Sequence, residues 1–359
     1  MNEDQIEQFA IERLKALRYG YAYGPTIAHD GEQPERESYE QVLLVGRLQE
    51  AVRRINPTVP ALALDQAVKE VQRIAGPVLL ANNEAFHRML TEGVKVSYQE
   101  DGNTRGDLVW LVDFADPYNN DLLAVNQYTV VENNRNKRPD VLLFVNGLPL
   151  VLVELKNAAD EKASIRSAYK QVETYKETIP SLFTYNGFVV ISDGLEARAG
   201  TVSSDLSRFM SWKTADGKVE ASHLVGQLET LITGMLEPTT LMDLLRHFIV
   251  FERSRKEDPV TGVTTISTVK KIAAYHQYYA VNRAVASTLR AAGRDQARTG
   301  VNSPPPEGWP QAGVVQFNAR RSSPPRLSGS PPEEGNSPIH YPNISRNSKK
   351  FSTSLSTQN

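Results

Sequence analysis

Residues 138–156 read RPDVLLFVNGLPLVLVELK, and the fold of the chain turns on them. Two apolar runs fold back through Asn146-Gly147, a dipeptide that readily supplies the positive φ angles of tight hairpin turns. Three charges interrupt the ribbon: Asp140 before the first strand, then Glu154 and Lys156 ending the second. With the reversal centred on Gly147, Asp140 lies opposite Glu154, and facing side chains in such a ladder have Cβ atoms roughly 4.5–5.5 Å apart. Strand alternation puts Lys156 on the face of Glu154 and turns Leu155 into the core. Two carboxylates and one ammonium therefore meet at the edge of an apolar sheet, an arrangement suited to a divalent metal and a phosphate.

Working outward, the chain upstream is helical and then alternating. Asn2 followed by Gln5 predicts a capped helix start, with Ile6, Phe9, Ala10, Leu14 and Leu17 as its apolar stripe. Glu7 flanks that stripe, where a solvated position and a role at the site are both open. Residues 21–40 read as a loop. Helical spacing follows in VLLVGRLQEAVRRI, from Leu64 to Ile74 and from Ala81 to Leu90. From Gly93 the period becomes two: Val94, Val96 and Tyr98, then Leu108, Trp110 and Val112, then a strand over Ala124–Val131. After the hairpin, 160–178 reads as a helix, with Ile165, Ala168, Tyr169, Val172 and Tyr175 in register, and Gly187–Ser192 as a strong strand. This order predicts an α/β fold with a mixed sheet flanked by helices.

Beyond Gly200 the spacing predicts helices over Leu224–Leu236, Leu241–Phe251 and Lys270–Ala291. Residues 302–359 hold 10 Pro and 11 Ser and no period, a composition that cannot bury enough apolar surface to fold and predicts disorder. The expected division is 1–200 around the hairpin, a helical segment over 201–300, and a tail over 301–359.

The totals exclude several classes. A formal net charge of −2 offers no whole-chain basic signature, so a nucleic-acid role needs a local patch or partner subunits. The chain has no cysteine, hence no disulfide framework, Cys-based zinc site or thiol nucleophile. The polar start MNEDQIEQ is no signal peptide and no apolar run is long enough to span a bilayer, which predicts a soluble, cytoplasmic protein without membrane contact.

Phosphodiester hydrolysis needs a metal that polarises the phosphoryl oxygen and lowers the pKa of water. Mg²⁺ takes oxygen ligands, commonly one or two carboxylates completed by water. Asp140 and Glu154 supply carboxylates, the Leu155 carbonyl is placed to add an oxygen, and Lys156 is placed to orient water or stabilise developing charge. On spacing alone, two surface carboxylates paired to a lysine fit equally well. The apolar context favours the metal, because charges at the end of so hydrophobic a hairpin need partners. Gln171 and Tyr175, four apart, share one helix face. Tyr175 reads equally as a core aromatic, whereas the Gln171 amide needs a polar partner.

Asp140, Glu154-Leu155-Lys156 and Gln171-Val-Glu-Thr-Tyr175 together resemble the PD-(D/E)xK nuclease motif followed by the Q-x-x-x-Y motif. The combination is typical of the restriction (R) subunit of type I restriction-modification enzymes. The phrases NQYTVVENNRNKRPDVLLFVNGLPLVLVELKN and QVETYKETIPSLFTYNGFVVISDG are also similar, as is KKIAAYHQYYAVNRAV, which resembles the stretch ahead of the motor in those subunits. The resemblance implies a restriction-endonuclease-like fold and Mg²⁺-dependent cleavage of double-stranded DNA. Asp140 and Glu154 would be metal ligands, Lys156 the catalytic lysine, and Gln171, Tyr175 and Glu7 accessory residues. It also implies methyltransferase (M) and specificity (S) subunits as partners and ATP as the fuel of translocation.

The resemblance covers roughly residues 3–300. No G-x4-G-K-[ST] phosphate loop occurs; the only Gly-Lys, Gly217-Lys218, is followed by Val219. The aperiodic tail falls where that loop is expected, so a frameshifted or truncated end ahead of the motor is the expectation. Gln277, in YHQYYAV, resembles a nucleotide-reading residue of helicase motors but is also an ordinary exposed amide on an amphipathic helix. A catalytically silent remnant that binds DNA or partner subunits, and a stand-alone repair-type nuclease, are the alternatives.

Overall fold

The computed structural model describes residues 2–100, 102–157, 164–222, 225–257 and 264–292. The Pro/Ser-rich tail, residues 160–163 of the expected helix and Leu224 lie outside them. In chain order the elements are α1 (Glu3–Ala16), β1 (Gly20–Tyr23), α2 (Val45–Ile55), α3 (Ala61–Gln72), α4 (Leu79–Glu92), β2 (Val94–Glu100), β3 (Asn103–Val109) and β4 (Leu122–Asn126). Then come β5 (Val130–Glu132), β6 (Arg135–Lys137), β7 (Val141–Val145), β8 (Leu148–Leu155), α5 (Ile165–Thr178), α6 (Pro180–Thr184), β9 (Phe188–Ser192) and β10 (Ala197–Gly200). The last are α7 (Gln227–Met235), α8 (Pro238–His247), β11 (Ile249–Glu257), β12 (Thr264–Ile272) and α9 (Tyr275–Ala291).

The expected α/β architecture forms. Six strands make a mixed sheet in the order β1-β4-β7-β8-β9-β10, with β1 parallel to β4, β8 parallel to β9, and the remaining neighbours antiparallel. Every residue of β4, β7, β8 and β9 is buried, because helices cover the central strands. Each large aliphatic placed there contributes about 1.5–3 kcal/mol of burial. Helix α5 joins the parallel pair β8 and β9 and packs on both, as a crossover must. Helix α1 starts where Asn2 and Gln5 exchange bonds in a capping box and rests against β4 and β8.

The hairpin closes at Asn146 and Gly147, with φ of 52° and 77°. Next to the turn, Val145 pairs with Leu148 and Phe144 with Pro149, the register of a two-residue loop. A bulge then leaves Leu150 without a partner, and Val141 faces Val153. The extra residue on β8 is what carries Glu154, rather than Val153, to the position opposite Asp140. The expected facing pair is reached by a tight turn and a bulge, not by a reversal centred on Gly147.

Several element boundaries differ from the sequence reading. The strand expected over 124–131 breaks at Gln127, whose φ of 55° ends β4 and redirects the chain into β5. Tyr21–Tyr23, expected as the start of a loop, instead forms with Gly20 an edge strand alongside β4. The helix expected to reach Phe251 stops at His247, and the one expected from Lys270 starts at Tyr275, because 249–257 and 264–272 pair as a β-hairpin. Ile249 and Val250 on one strand, and Ile266, Thr268, Val269 and Ile272 on the other, are β-branched and fit the pleat. Among the described residues no helix is long and apolar enough to cross a membrane.

Candidate active site

Strands β7 and β8 bring Asp140, Glu154 and Lys156 to one end of the sheet. The Leu155 N–H donates to Oδ2 of Asp140 at 2.7 Å, so the residue ahead of β7 is tied to the last residue of β8. Beyond β8 the pairing runs on, with the Lys156 N–H donating to the Ser192 carbonyl at 2.8 Å. Leu155 is fully buried, as alternation requires. Lys156 Nζ donates to Glu154 Oε1 at 2.9 Å, to Glu3 Oε1 at 2.9 Å and to the Leu155 carbonyl at 2.8 Å. Its three donors are all engaged.

Burial sets the electrostatics of the pair. Glu154 is 1% exposed, and burial together with the Asp140 charge pushes its carboxyl up to about 8. Burial likewise raises Asp140 to about 6, against the lowering effect of the Leu155 N–H. Burial alone would lower Lys156, but the Glu154 and Asp140 carboxylates outweigh it and hold the ammonium well above its ordinary value. Oε2 of Glu154 is buried with no hydrogen-bond partner. A buried carboxylate oxygen beside a second carboxylate is costly unless a cation or proton meets it. The donor set, two carboxylates and the Leu155 carbonyl, is all oxygen and fits a hard divalent ion. Among the described residues no group of three or more His, Cys, Asp or Glu side chains is placed to hold a metal ion, so the side-chain ligands here are the two carboxylates alone.

The accessory positions divide. Tyr175, on the buried face of α5, donates its hydroxyl to the Arg138 carbonyl at 3.4 Å. Burial and the neighbouring Glu154 charge raise it, so the hydroxyl is neutral, and both Gln171 and Glu154 lie close enough to influence that hydroxyl. Glu7 is buried on α1, where its Oε1 accepts from Asn126 Nδ2 and its Oε2 from Gln127 Nε2, both at 2.7 Å. The Gln127 N–H also donates to the Asp140 carbonyl at 3.0 Å, so Glu7 is coupled to the site through the end of β4. Gln277 stands apart. It lies in the first turn of α9, where its Oε1 accepts the Ala274 N–H at 2.9 Å and caps the helix.

Asn126, Gln127 and Glu3 are site neighbours that the sequence reading missed. The two amides had a signal: consecutive polar residues in the otherwise apolar AVNQYTVV, one register step from Asp140 (Asn126 pairs with Val141). Glu3 had none, since it is one acid among several in an exposed first turn.

Residues 1–208 match the family described as "Type I restriction enzyme R protein N terminus". The chain is similar to the type I restriction enzyme HindI endonuclease subunit of Haemophilus influenzae, with 41% identity over 295 residues covering 81% of this chain and 27% of the relative. It is similar to the "Putative type I restriction enzyme MjaIXP endonuclease subunit" of Methanocaldococcus jannaschii at 31% over 311 residues, covering 81% and 28%. The EcoprrI endonuclease subunit of Escherichia coli is 27% identical over 265 residues, covering 71% and 76%. The chain thus spans little more than a quarter of the length of the first two relatives.

Proposed function

The chain belongs to the family of the type I restriction enzyme R protein N terminus, and from that premise we propose that it is the endonuclease part of such an enzyme. Its reaction is Mg²⁺-dependent hydrolysis of phosphodiesters in double-stranded DNA. The observation that carries this reading is the meeting of Asp140, Glu154 and Lys156 at the end of β8, with Oε2 of Glu154 buried and unpartnered. Asp140 and Glu154 would hold the metal, which when bound polarises the phosphoryl oxygen. Lys156 then balances the charge that develops on the phosphate, and Asp140 keeps its place through the Leu155 N–H. Tyr175 ties α5 to the chain at Arg138, just ahead of Asp140, with Gln171 one turn earlier on the same helix as an accessory residue.

In this reading residues 1–200 are the nuclease unit and 201–300 lead away from it. Sequence recognition and assembly belong to M and S subunits in the cytoplasm, and cleavage in the whole enzyme is coupled to ATP-driven translocation. The test is direct: the 359-residue chain is incubated with supercoiled plasmid and Mg²⁺, with and without ATP. Nicking that disappears in Asp140→Ala supports the assignment; nicking that persists in it removes these residues from the site.

One observation favours a second reading, in which the chain binds DNA or its partner subunits without cutting. The Lys156 ammonium is fully committed to Glu3, Glu154 and Leu155. Inertness under every condition, with M and S subunits still bound, would favour it.

A further inference from the structure

A site built from two carboxylates repels a polyanion, and the chain carries a net charge of −2, so a phosphate backbone must be held by local cations. Lys156 is already engaged. The cations that lead into Asp140 are Arg135 and Lys137, on strand β6 of the small β5–β6 hairpin, and Arg138, the residue just after it. Its turn is Asn133-Asn134, with φ of 49° and 61°, the sign that a two-residue type I′ connection requires.

The ribbon is anchored on several sides. Val130 is fully buried, and the Val131 N–H donates to the Tyr39 carbonyl at 3.0 Å. Glu132 accepts the Ser181 N–H at 3.0 Å, and Tyr175 holds the Arg138 carbonyl. The side chains of Arg135 and Arg138 are nonetheless exposed, and that of Lys137 is half-buried. Among the described residues none of the three forms an ion pair, whereas Lys156 and Lys176 nearby both do. Glu132, which faces Arg135 across the ladder, is committed to the Ser181 amide. Three uncommitted cations thus sit on a rigid backbone within five residues of Asp140. At ~3.3 Å per extended residue they reach at most ~17 Å from it, and a duplex strand places a charge every ~3.4 Å of axis.

We propose that the β5–β6 hairpin is a phosphate clamp, in which Arg135, Lys137 and Arg138 bind the backbone of double-stranded DNA beside the cleaved bond. The proposal rests on the endonuclease reading and adds to it the surface that receives the substrate. The contact is to phosphates and is independent of base sequence.

The test is binding of a short fluorescent duplex in EDTA, followed across a salt series, with circular dichroism as a check on folding. The variant Arg135→Gln/Lys137→Gln/Arg138→Gln should bind roughly 10- to 1,000-fold more weakly at low salt, with a log–log salt slope shallower by about 2–3. The charge-keeping variant Arg135→Lys/Lys137→Arg/Arg138→Lys should stay within a few-fold of the wild type. Wild-type affinity and slope in the glutamine variant would overturn the clamp and leave the patch for an acidic partner surface, and no duplex binding by the wild-type chain would overturn it too. Neither result touches the catalytic assignment, which fails separately if Asp140→Ala cuts plasmid at the wild-type rate.

Discussion

The Leu155 N–H donates across the hairpin to Oδ2 of Asp140 at 2.7 Å, so one carboxylate of the site is pinned by the backbone of the residue next to the other. The bond positions Asp140 without spending Oδ1, while Glu154 keeps Oε2 unpaired. Burial raises both groups, Asp140 to about 6 and Glu154 to about 8, and the Asp140 charge adds to the rise of Glu154. Such an arrangement lowers stability in the absence of a cation, as functional sites often do.

Glu154→Gln should therefore stabilise the metal-free chain while abolishing cleavage. The amide keeps an oxygen for Lys156 and replaces a carboxyl that must take up a proton, or stay charged, in a buried site next to Asp140. A gain of ~1 kcal/mol would appear as a rise of about 1–2 °C in Tm for a chain of this size. Added Mg²⁺ should raise the Tm of the wild type by mass action and leave Glu154→Gln unmoved. Equal Mg²⁺ shifts in the two proteins would take the metal away from this pair.

How much of this was legible depended on whether a local pattern carried it. The apolar ribbon, the Asn146-Gly147 turn and the Asp140–Glu154 pairing could all be read, since strand period and turn chemistry are short-range. The bulge at Leu150 could not, because nothing in PLVLV marks the residue that loses its partner. Glu3 and Glu7 reach the site from α1, far away in sequence, and only the packing of α1 on β4 and β8 brings them there. The hairpin at 249–272 escapes a local reading because LMDLLRHFIVF continues a helical stripe past His247. Tertiary pairing with β12 decides the matter against that local preference.

Gly147 illustrates a requirement hidden behind a legible turn. Its φ is 77°, and a Cβ there would lie 2.3 Å from the Leu44 carbonyl, the residue whose N–H bonds the Gly147 carbonyl at 3.0 Å. Gly147→Ala should cost more than the ~1–2 kcal/mol of a left-handed alanine. Gly102, with φ of 78° and no atom within 4 Å of its would-be Cβ, is the control. Chemical denaturation of both variants measures the difference; equal losses would show that the Leu44 contact yields freely.

Lys270 gives a pH dependence remote from the carboxylates. Its ammonium is 1% exposed, donates to Asn83 Oδ1 and the Asn186 carbonyl at 2.8 Å each, and burial lowers it to about 7. The unfolded chain holds this proton up to its ordinary range while the folded chain releases it near neutrality. Between pH 7 and about 9.5 the unfolded state binds more protons, so stability rises with pH by up to ~1.4 kcal/mol per unit from this group. Lys270→Met, though less stable overall, should lack that rise. Parallel stability–pH curves for the two proteins would contradict the shift.

The bonds around Glu7 allow an exchange test of the link between α1 and β4. Both Glu7 oxygens accept amide N–H groups at 2.7 Å, from Asn126 and Gln127, while Asn126 Oδ1 accepts the Tyr21 hydroxyl at 3.1 Å. Glu7→Gln places an NH₂ group against one of those two donors and leaves a buried amide unsatisfied, a loss of about 1–3 kcal/mol. Adding Asn126→Asp restores the pairing with the roles reversed. The new carboxylate on β4 would accept from the new amide on α1, the oxygen of that amide would accept from Gln127, and Tyr21 would keep its acceptor. Asn126→Asp alone sets two carboxylates together in a buried site and should be the least stable of the set. A double-mutant cycle by thermal or urea unfolding should thus give a coupling above ~1 kcal/mol in favour of the exchanged pair. Additive losses would mean that Glu7 is held by packing rather than by these amides, and its tie to Asp140 through Gln127 would lose its physical basis.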